Sequence, residues 1–516
     1  MRKLLIICCL VGLFGGCSSN FLKEYSQDLA KVGSLDDLDE VLAGSGYLPT
    51  AKLNENDFFK VSHFMSDELD IYKATNGGDK GIRMPMFGWH TWQQDVGLPF
   101  EGSARTPENK DWQQAYTCIN ICNMVLASAD DLPANNTREE LQQKRIKGEA
   151  HFLRALYYFT LANLYGQPYC VRNLNTPAVP IKLTEYVEDK DYTVNTVQEV
   201  YVQVLTDLDE ANAYLKDNEV KNLPYRADIT AVYLLKSRVY LYMQDWEKAR
   251  EYADSVLMRH NSLLDLNAYT SGSEVFTKTS PEMIFSMGGY ALAEYVYNRR
   301  GSDGTYPNYI ISDDLRLAFD GENDWRTQYY IMLDNVGGYS TGNVKTDEWV
   351  LVKAKGWEAG YKESSDHFMF RTAEAYLNAA EAAAYSGDEA AARQLLKTLR
   401  DNRLKVSSEI TASGKGLIDL IRRERQCELC LEGHRWFDLR RYRVCEKFPY
   451  SKKITHYHAT YQDYPPKLLE TKSYTLKEDE DAAYTLSLPK EVVDFQNTLA
   501  SHQRPLRSVD PETPGH

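Results

Sequence analysis

Residues 424–441 read ERQCELCLEGHRWFDLRR, a run in which helical periodicity coincides with dense charge. The helical pattern extends from Leu417 to Leu431, so the run opens inside a helix. Cys427-Glu428-Leu429-Cys430 has the spacing of a redox pair or half a metal site. No strand-turn-helix unit precedes it, however, and no His or Cys partner stands at zinc-finger spacing. Buried structural thiols are the expectation. Arg435 and Asp438 stand at i,i+3 and are placed to pair across one helical turn. Trp436 and Leu439 share a face and are expected in the core. This run reads as architecture, not as a binding site.

Helical periodicity dominates on either side of it. A first short helix is expected at Leu35 to Leu42, opened by Ser34 as N-cap. From Trp112 the positions Trp112, Ala115, Tyr116, Ile119, Cys122 and Asn123 follow i, i+3, i+4, i+7 spacing. A long helix is expected at about 138–165, stopped by Gly166 and Pro168. Others are expected at about 195–216, 228–243, 246–259, 371–386 and 388–403. Two of these blocks repeat. Tyr233 to Val256 aligns with Tyr376 to Leu399 at a constant offset of 143, placing Ala249-Arg250 on Ala392-Arg393. A helix-turn-helix of about 34 residues with small residues at the crossing is the tetratricopeptide pattern.

Residues 261–370 change character. Gly and Ser rise, and aromatics crowd in, among them Tyr290, Tyr295, Tyr297, Tyr309, Trp325, Tyr329 and Trp349. A structureless loop of that length is uncommon, so a folded, irregular, functional insertion is expected. The tail from about 445 is polar and Tyr-rich in the same way. At the other end, Arg2 and Lys3 precede an apolar run from Leu4 to Phe14 that is too short to span a bilayer. The run and Gly15-Gly16-Cys17 behind it read as a signal peptide over residues 1–16 with a lipobox, making Cys17 the acylated first residue of the mature chain. An ordinary secretory signal with an incidental Cys17 is the plain alternative.

Composition bounds the partners. With 59 Lys+Arg against 74 Asp+Glu the net charge is −15, and cleavage before Cys17 would bring it to −17. An acidic chain without a basic, aromatic-interleaved tract argues against nucleic acid or an anionic membrane face as the main partner. Tyr is abundant, 36 against 17 Phe, and its apolar face with a polar tip suits wet binding surfaces as well as cores. Cys118, Cys122, Cys170, Cys427, Cys430 and Cys445 are too few for a disulfide framework in a chain this long.

The 424–441 run resembles the C-terminal signature of the SusD/RagB family of Bacteroidetes outer-membrane lipoproteins, roughly E-R-x-x-E-L-x-x-E-G-x-R-W-x-D-L-R-R. Other pieces agree in order. Cys17 with Phe21-Leu22 resembles the family's start; Trp112, Tyr116, Ile119 and Asn123 match its first long helix. Gly148-Glu149-Ala150-His151-Phe152-Leu153-Arg154-Ala155 with Leu164-Tyr165-Gly166 matches the next. Arg371, Ala373, Glu374, Tyr376, Ala380 and Glu381 match a third, and Leu488-Pro489 the closing motif, where Lys490 departs from the second Pro of many relatives. The resemblance implies a mostly α fold: tetratricopeptide-like helical pairs in a single large lobe, with an irregular, aromatic-rich ligand face. It divides the chain into 17–260, the insertion 261–370, and 371–516. It also implies a lipid-anchored protein on the outer-membrane surface that binds a glycan and delivers it to a SusC-like TonB-dependent transporter. In the RagB branch the cargo is peptide.

Sugar capture needs aromatic faces for the C–H patch of a pyranose and amides, acids or Arg for its hydroxyls. Two stretches offer both, and by position resemble the family's ligand-contacting regions. The first holds Trp89 and Trp92 with Arg83 upstream; the second holds Tyr297, Asn298 and Trp325. Each ring has a plain alternative as core packing. No catalytic function is expected. A glycoside hydrolase needs two carboxylates about 5–10 Å apart, which 74 acids do not exclude, but no catalytic segment accompanies them. No cofactor is implied. Asp320-Gly321-Glu322-Asn323-Asp324 offers oxygens for a structural calcium without EF-hand spacing.

Overall fold

The repeat at offset 143 is realised as two helix pairs in the computed structural model. It describes residues 32–47, 61–71, 86–97, 110–218, 224–270, 275–287, 292, 296, 309–334, 348–353, 369–462, 467–496 and 498–511. The chain enters through α1 (Leu35–Val41), whose N-cap Ser34 accepts from the Asp37 amide. Then come α2 (Lys110–Asp131), α3 (Thr137–Tyr165) and α4 (Val197–Leu215). The repeated pairs follow: α5 (Ile229–Met243) with α6 (Trp246–Arg259), and α7 (Thr372–Tyr385) with α8 (Glu389–Asp401). The family-like run supplies α9 (Gly414–Glu428) and α10 (Arg435–Arg443), and α11 (Lys490–Phe495) lies near the end. Each helix from α2 to α5 packs on the next, and α7 packs on α6, α8 and α9. The chain is therefore mostly α, with tetratricopeptide-like pairs. Among the described residues no helix is long and apolar enough to cross a membrane.

The two turns of the repeat share one backbone. Gln244 (φ 63°) and Gly387 (φ 88°), at equivalent positions, both take the left-handed conformation. Asp245 and Asp388 then cap α6 and α8 by accepting from the Lys248 and Ala391 amides, each at 3.1 Å. Glycine tolerates that conformation and glutamine resists it. Gln244 is held there by its amide: Nε2 donates to Val444 O at 3.1 Å, and Oε1 accepts from Glu446 N at 2.9 Å. Small residues set the helix spacing elsewhere. A Cβ on Gly148 of α3 would lie 2.5 Å from Leu215 Cγ of α4.

Short antiparallel ladders fill the irregular part: β1 (Leu69–Ile71) with β3 (Tyr309–Ile311), β2 (Met283–Phe285) with β6 (Phe370–Arg371), and β4 (Ile331–Asp334) with β5 (Glu348–Leu351). The polar tail, expected to be irregular, instead contains a hairpin of β7 (Ile454–Gln462) and β8 (Lys467–Leu476). Its alternation is real but unusual, because His456 and His458 occupy buried positions where aliphatic residues are usual.

The charges of the 424–441 run point inward. Glu428 accepts from Arg403 (2.9 Å), Arg371 (3.0 Å), Tyr330 (3.0 Å) and Arg326 (3.1 Å). Glu432 accepts from Lys353 and Arg371; Glu282 accepts from Arg371 and Arg403. Arg326 also meets Asp324 and Glu424, and Arg400 meets Glu424. Burial opposes ionisation of Glu428, but Arg403 and Arg371 outweigh it and hold the carboxyl well below its usual range. The run is a clamp between distant segments, as the sequence implies. One detail differs. Arg435 does not pair with Asp438 but forms a two-pronged ion pair with Asp67 (2.7 and 2.8 Å), while Asp438 joins Arg425 and Arg441, each at 2.8 Å. The helical turn leaves Arg435 aimed at the segment before β1, where Asp67 is fully buried and also accepts from Lys452 at 2.8 Å. Trp436 and Leu439 are core residues.

Beside Asp67 sits a carboxyl of the opposite kind. Glu68 is buried and accepts from the Leu431 amide at 2.9 Å. Burial, with the Asp67 charge adding to it, pushes its pKa from the ordinary 4.5 up to about 8. A carboxyl whose folded pKa is raised contributes stability fully present below its unfolded pKa and lost as pH rises through the folded one. Replacing Glu68 with Gln is therefore expected to remove a decline in stability between about pH 5 and 8. Urea midpoints of wild type and Glu68→Gln measured across that range check it: the two curves should converge at pH 5 and separate at pH 8, the variant being the more stable. Parallel curves would refute the assignment.

Candidate functional site

The first candidate stretch is core. Residues 86–90 form a helical turn, and the chain then reverses through Trp92 at φ 52°. Trp89 is 4% exposed and Trp92 fully buried, so neither offers a face to a sugar. The Trp92 indole N–H donates to Met65 O at 2.9 Å, and its ring stacks on His456 at 4.3 Å. His456 stacks in turn on His90 at 4.0 Å, and His90 Nδ1 lies 3.1 Å from Phe64 O. Burial keeps both imidazoles neutral, driving His456 down to about 4. The expectation of a stacking platform at Trp89 and Trp92 is corrected here: the hairpin and helix 61–65 close over this segment from two sides. Arg83 lies outside the described residues, as do Tyr297, Asn298 and Cys17.

The second stretch behaves differently. Asp324 makes an isolated antiparallel bridge with Leu404; Trp325 N donates to Arg403 O at 3.0 Å and Lys405 N to Asn323 O at 2.8 Å. This pairing hangs the segment on the connection after α8. Arg326 turns inward to the buried charge network, which leaves Trp325 half-buried on the outer side. Its ring stacks with Tyr329 at 5.8 Å and 26°, and Tyr269 meets Tyr329 edge-on at 4.9 Å. The indole N–H donates to Asn267 Oδ1 at 2.9 Å, and Lys405 Nζ stands 4.7 Å from the ring centre. Three part-exposed rings flanked by an amide and an ammonium can stack an apolar face and satisfy hydroxyls around it.

Trp325 and Tyr329 stand out in the sequence as part of the aromatic insertion. Asn267 and Tyr269 lie in the same insertion but more than 50 residues before Trp325, and Lys405 lies beyond it, so no local pattern brings them to the site. The carboxylates offered to calcium have other work. Asp320 accepts from Arg400 and Arg423, and Asp324 from Arg326. Among the described residues no set of His, Cys, Asp and Glu is arranged to hold a metal ion. Cys118, Cys122, Cys427, Cys430 and Cys445 are buried free thiols; burial pushes Cys118 and Cys430 up to about 12, so they are unreactive.

Known proteins bear on this geometry. The model of the "SusD family" matches residues 319–501, and that of a family described as "Starch-binding associating with outer membrane" matches residues 64–241. SusD-like protein P38 of Formosa agariphila is 23% identical over 473 residues, covering 80% of this chain and 89% of its own. A SusD-like protein of Bacteroides ovatus is 22% identical over 483 residues, covering 85% and 82%. Among solved structures, a SusD superfamily protein from Bacteroides thetaiotaomicron superposes with a TM-score of 0.69 at 20% identity, over 92% of this chain and all of that one. A putative sugar binding protein from Bacteroides vulgatus gives 0.69 at 19% identity, over 92% and 99%. At such identities the structural likeness speaks for the fold.

Proposed function

The chain belongs to the SusD/RagB family, and from that premise we propose that it captures a glycan at the outer-membrane surface and hands it to a SusC-like TonB-dependent transporter, without cleaving it. Lipid on Cys17 would tether it there. The observation that carries the reading is the Trp325–Tyr329–Tyr269 cluster with Asn267 and Lys405 at its edge. Net hydrogen bonds contribute only about 1 kcal/mol each, so stacked rings must supply much of the affinity for a hydrated sugar. The cluster's outer position suits that task, whereas the buried Trp89 and Trp92 do not.

Native affinity electrophoresis against a panel of polysaccharides tests it. One glycan is expected to retard the wild type, and Trp325→Ala/Tyr329→Ala to weaken that interaction by at least about tenfold, a loss of about 1.4 kcal/mol. Retardation unchanged in the double variant would rule out this platform. No retardation by any glycan would move the reading to peptide capture.

A further inference from the structure

A cavity of about 580 Å³ lies between the C-terminal end of α10, the turn after α3 and the segment 478–485. Two side chains that line it are buried and incompletely paired. Arg440 is 1% exposed; its Nη2 donates to Gly166 O and, at 3.2 Å, to Thr485 Oγ1, while Nε and Nη1 meet no acceptor. Tyr484 is 4% exposed, and its hydroxyl has no partner either. Its ring is sandwiched between Trp436, stacked at 4.9 Å, and the Arg443 guanidinium at 4.1 Å, so it cannot turn away.

Among the described residues no carboxylate pairs with Arg440. The buried acid of the same wall, Asp481, is committed elsewhere: both its oxygens accept from Arg507, at 2.7 and 2.9 Å. A buried guanidinium without a counterion is strongly unfavourable, and so is a buried hydroxyl without a partner. Burial, reinforced by the like charge of Arg443, pushes Arg440 down to about 10. The other clamping arginines of the signature each have their carboxylates, so this one is the exception. The far side of the cavity carries exposed Glu478, Asp479 and Glu480. That rim repels a dianion more strongly than a monoanion and accepts hydrogen bonds from hydroxyls.

We propose that this cavity is a second ligand site, separate from the aromatic platform, that takes the carboxylate of a hydroxylated monoacid of the hexuronate class. The carboxylate pairs with Arg440 and Arg443, the Tyr484 hydroxyl donates to it, and the sugar hydroxyls face the acidic rim. A neutral sugar leaves Arg440 unpaired, and phosphate meets the rim.

Isothermal titration of the purified protein with glucuronate, glucose and inorganic phosphate tests the site. Saturable binding of glucuronate alone is expected. Tyr484→Phe, which removes only the hydroxyl, and Arg443→Gln should each weaken it by at least about fivefold. Arg440→Met should abolish binding; if that variant fails to fold, Tyr484→Phe and Arg443→Gln still decide. Absence of saturable glucuronate binding, equal binding of phosphate, or binding indifferent to both variants would overturn the proposal.

Discussion

Glu428→Gln is expected to lower the stability of the protein by about 3–5 kcal/mol, the usual consequence of breaking a buried ion pair from one side. The network around Glu428 is balanced. Arg326, Lys353, Arg371, Arg400 and Arg403 face Asp324, Glu282, Glu424, Glu428 and Glu432, five cations to five carboxylates, and Asp320 and Arg423, joined on through Arg400, add one of each. Glutamine keeps the shape and one acceptor oxygen but leaves one positive charge uncompensated where the side chains of Arg326, Arg371 and Arg403 are at most 1% exposed. Low dielectric magnifies that imbalance. Urea denaturation of wild type and variant at pH 7 reads the effect. A midpoint within experimental error of wild type would show that the network is not what holds these segments together.

Trp92→Ala is expected to be nearly as damaging, about 3–5 kcal/mol for truncating a fully buried aromatic. Two losses combine: the volume of the ring, and the partner of the Met65 carbonyl, which then has no donor from Trp92. The His456 ring loses its stacking neighbour as well. The sharper part of the expectation is what stays. At temperatures where the variant is folded, its retardation by glycan should match wild type, in contrast to Trp325→Ala/Tyr329→Ala. A Trp92→Ala protein with a wild-type melting midpoint and no glycan retention would reverse the assignment of the two stretches.

Those stretches show where sequence reading succeeds and where it stops. The helices were legible because their periodicity is local, and the repeat because its spacing is constant through Gln244 and Gly387. The irregular segments share one composition, rich in Gly, Pro and aromatics, yet Trp92 is core and Trp325 only half-buried. That difference depends on which elements close over each ring, the hairpin in one case and, among the described residues, none in the other, and no local pattern records it. The hairpin itself escaped because its inward positions carry His456 and His458, which read as polar. Arg435 shows the same limit for charge: a partner one turn away is easily foreseen, whereas Asp67, 368 residues distant, is not.

The balanced cluster around Glu428 also bears on the order in which the molecule is made. Its members come from positions 282, 324, 326, 353, 371, 400, 403, 424, 428 and 432, a span of roughly a third of the chain. Until Glu424, Glu428 and Glu432 have been synthesised, the cations already present outnumber the acids they can pair with, and water is the better solvent for the surplus charge. Closure of this buried network is therefore expected to wait for position 432, a step that joins segments far apart in the chain.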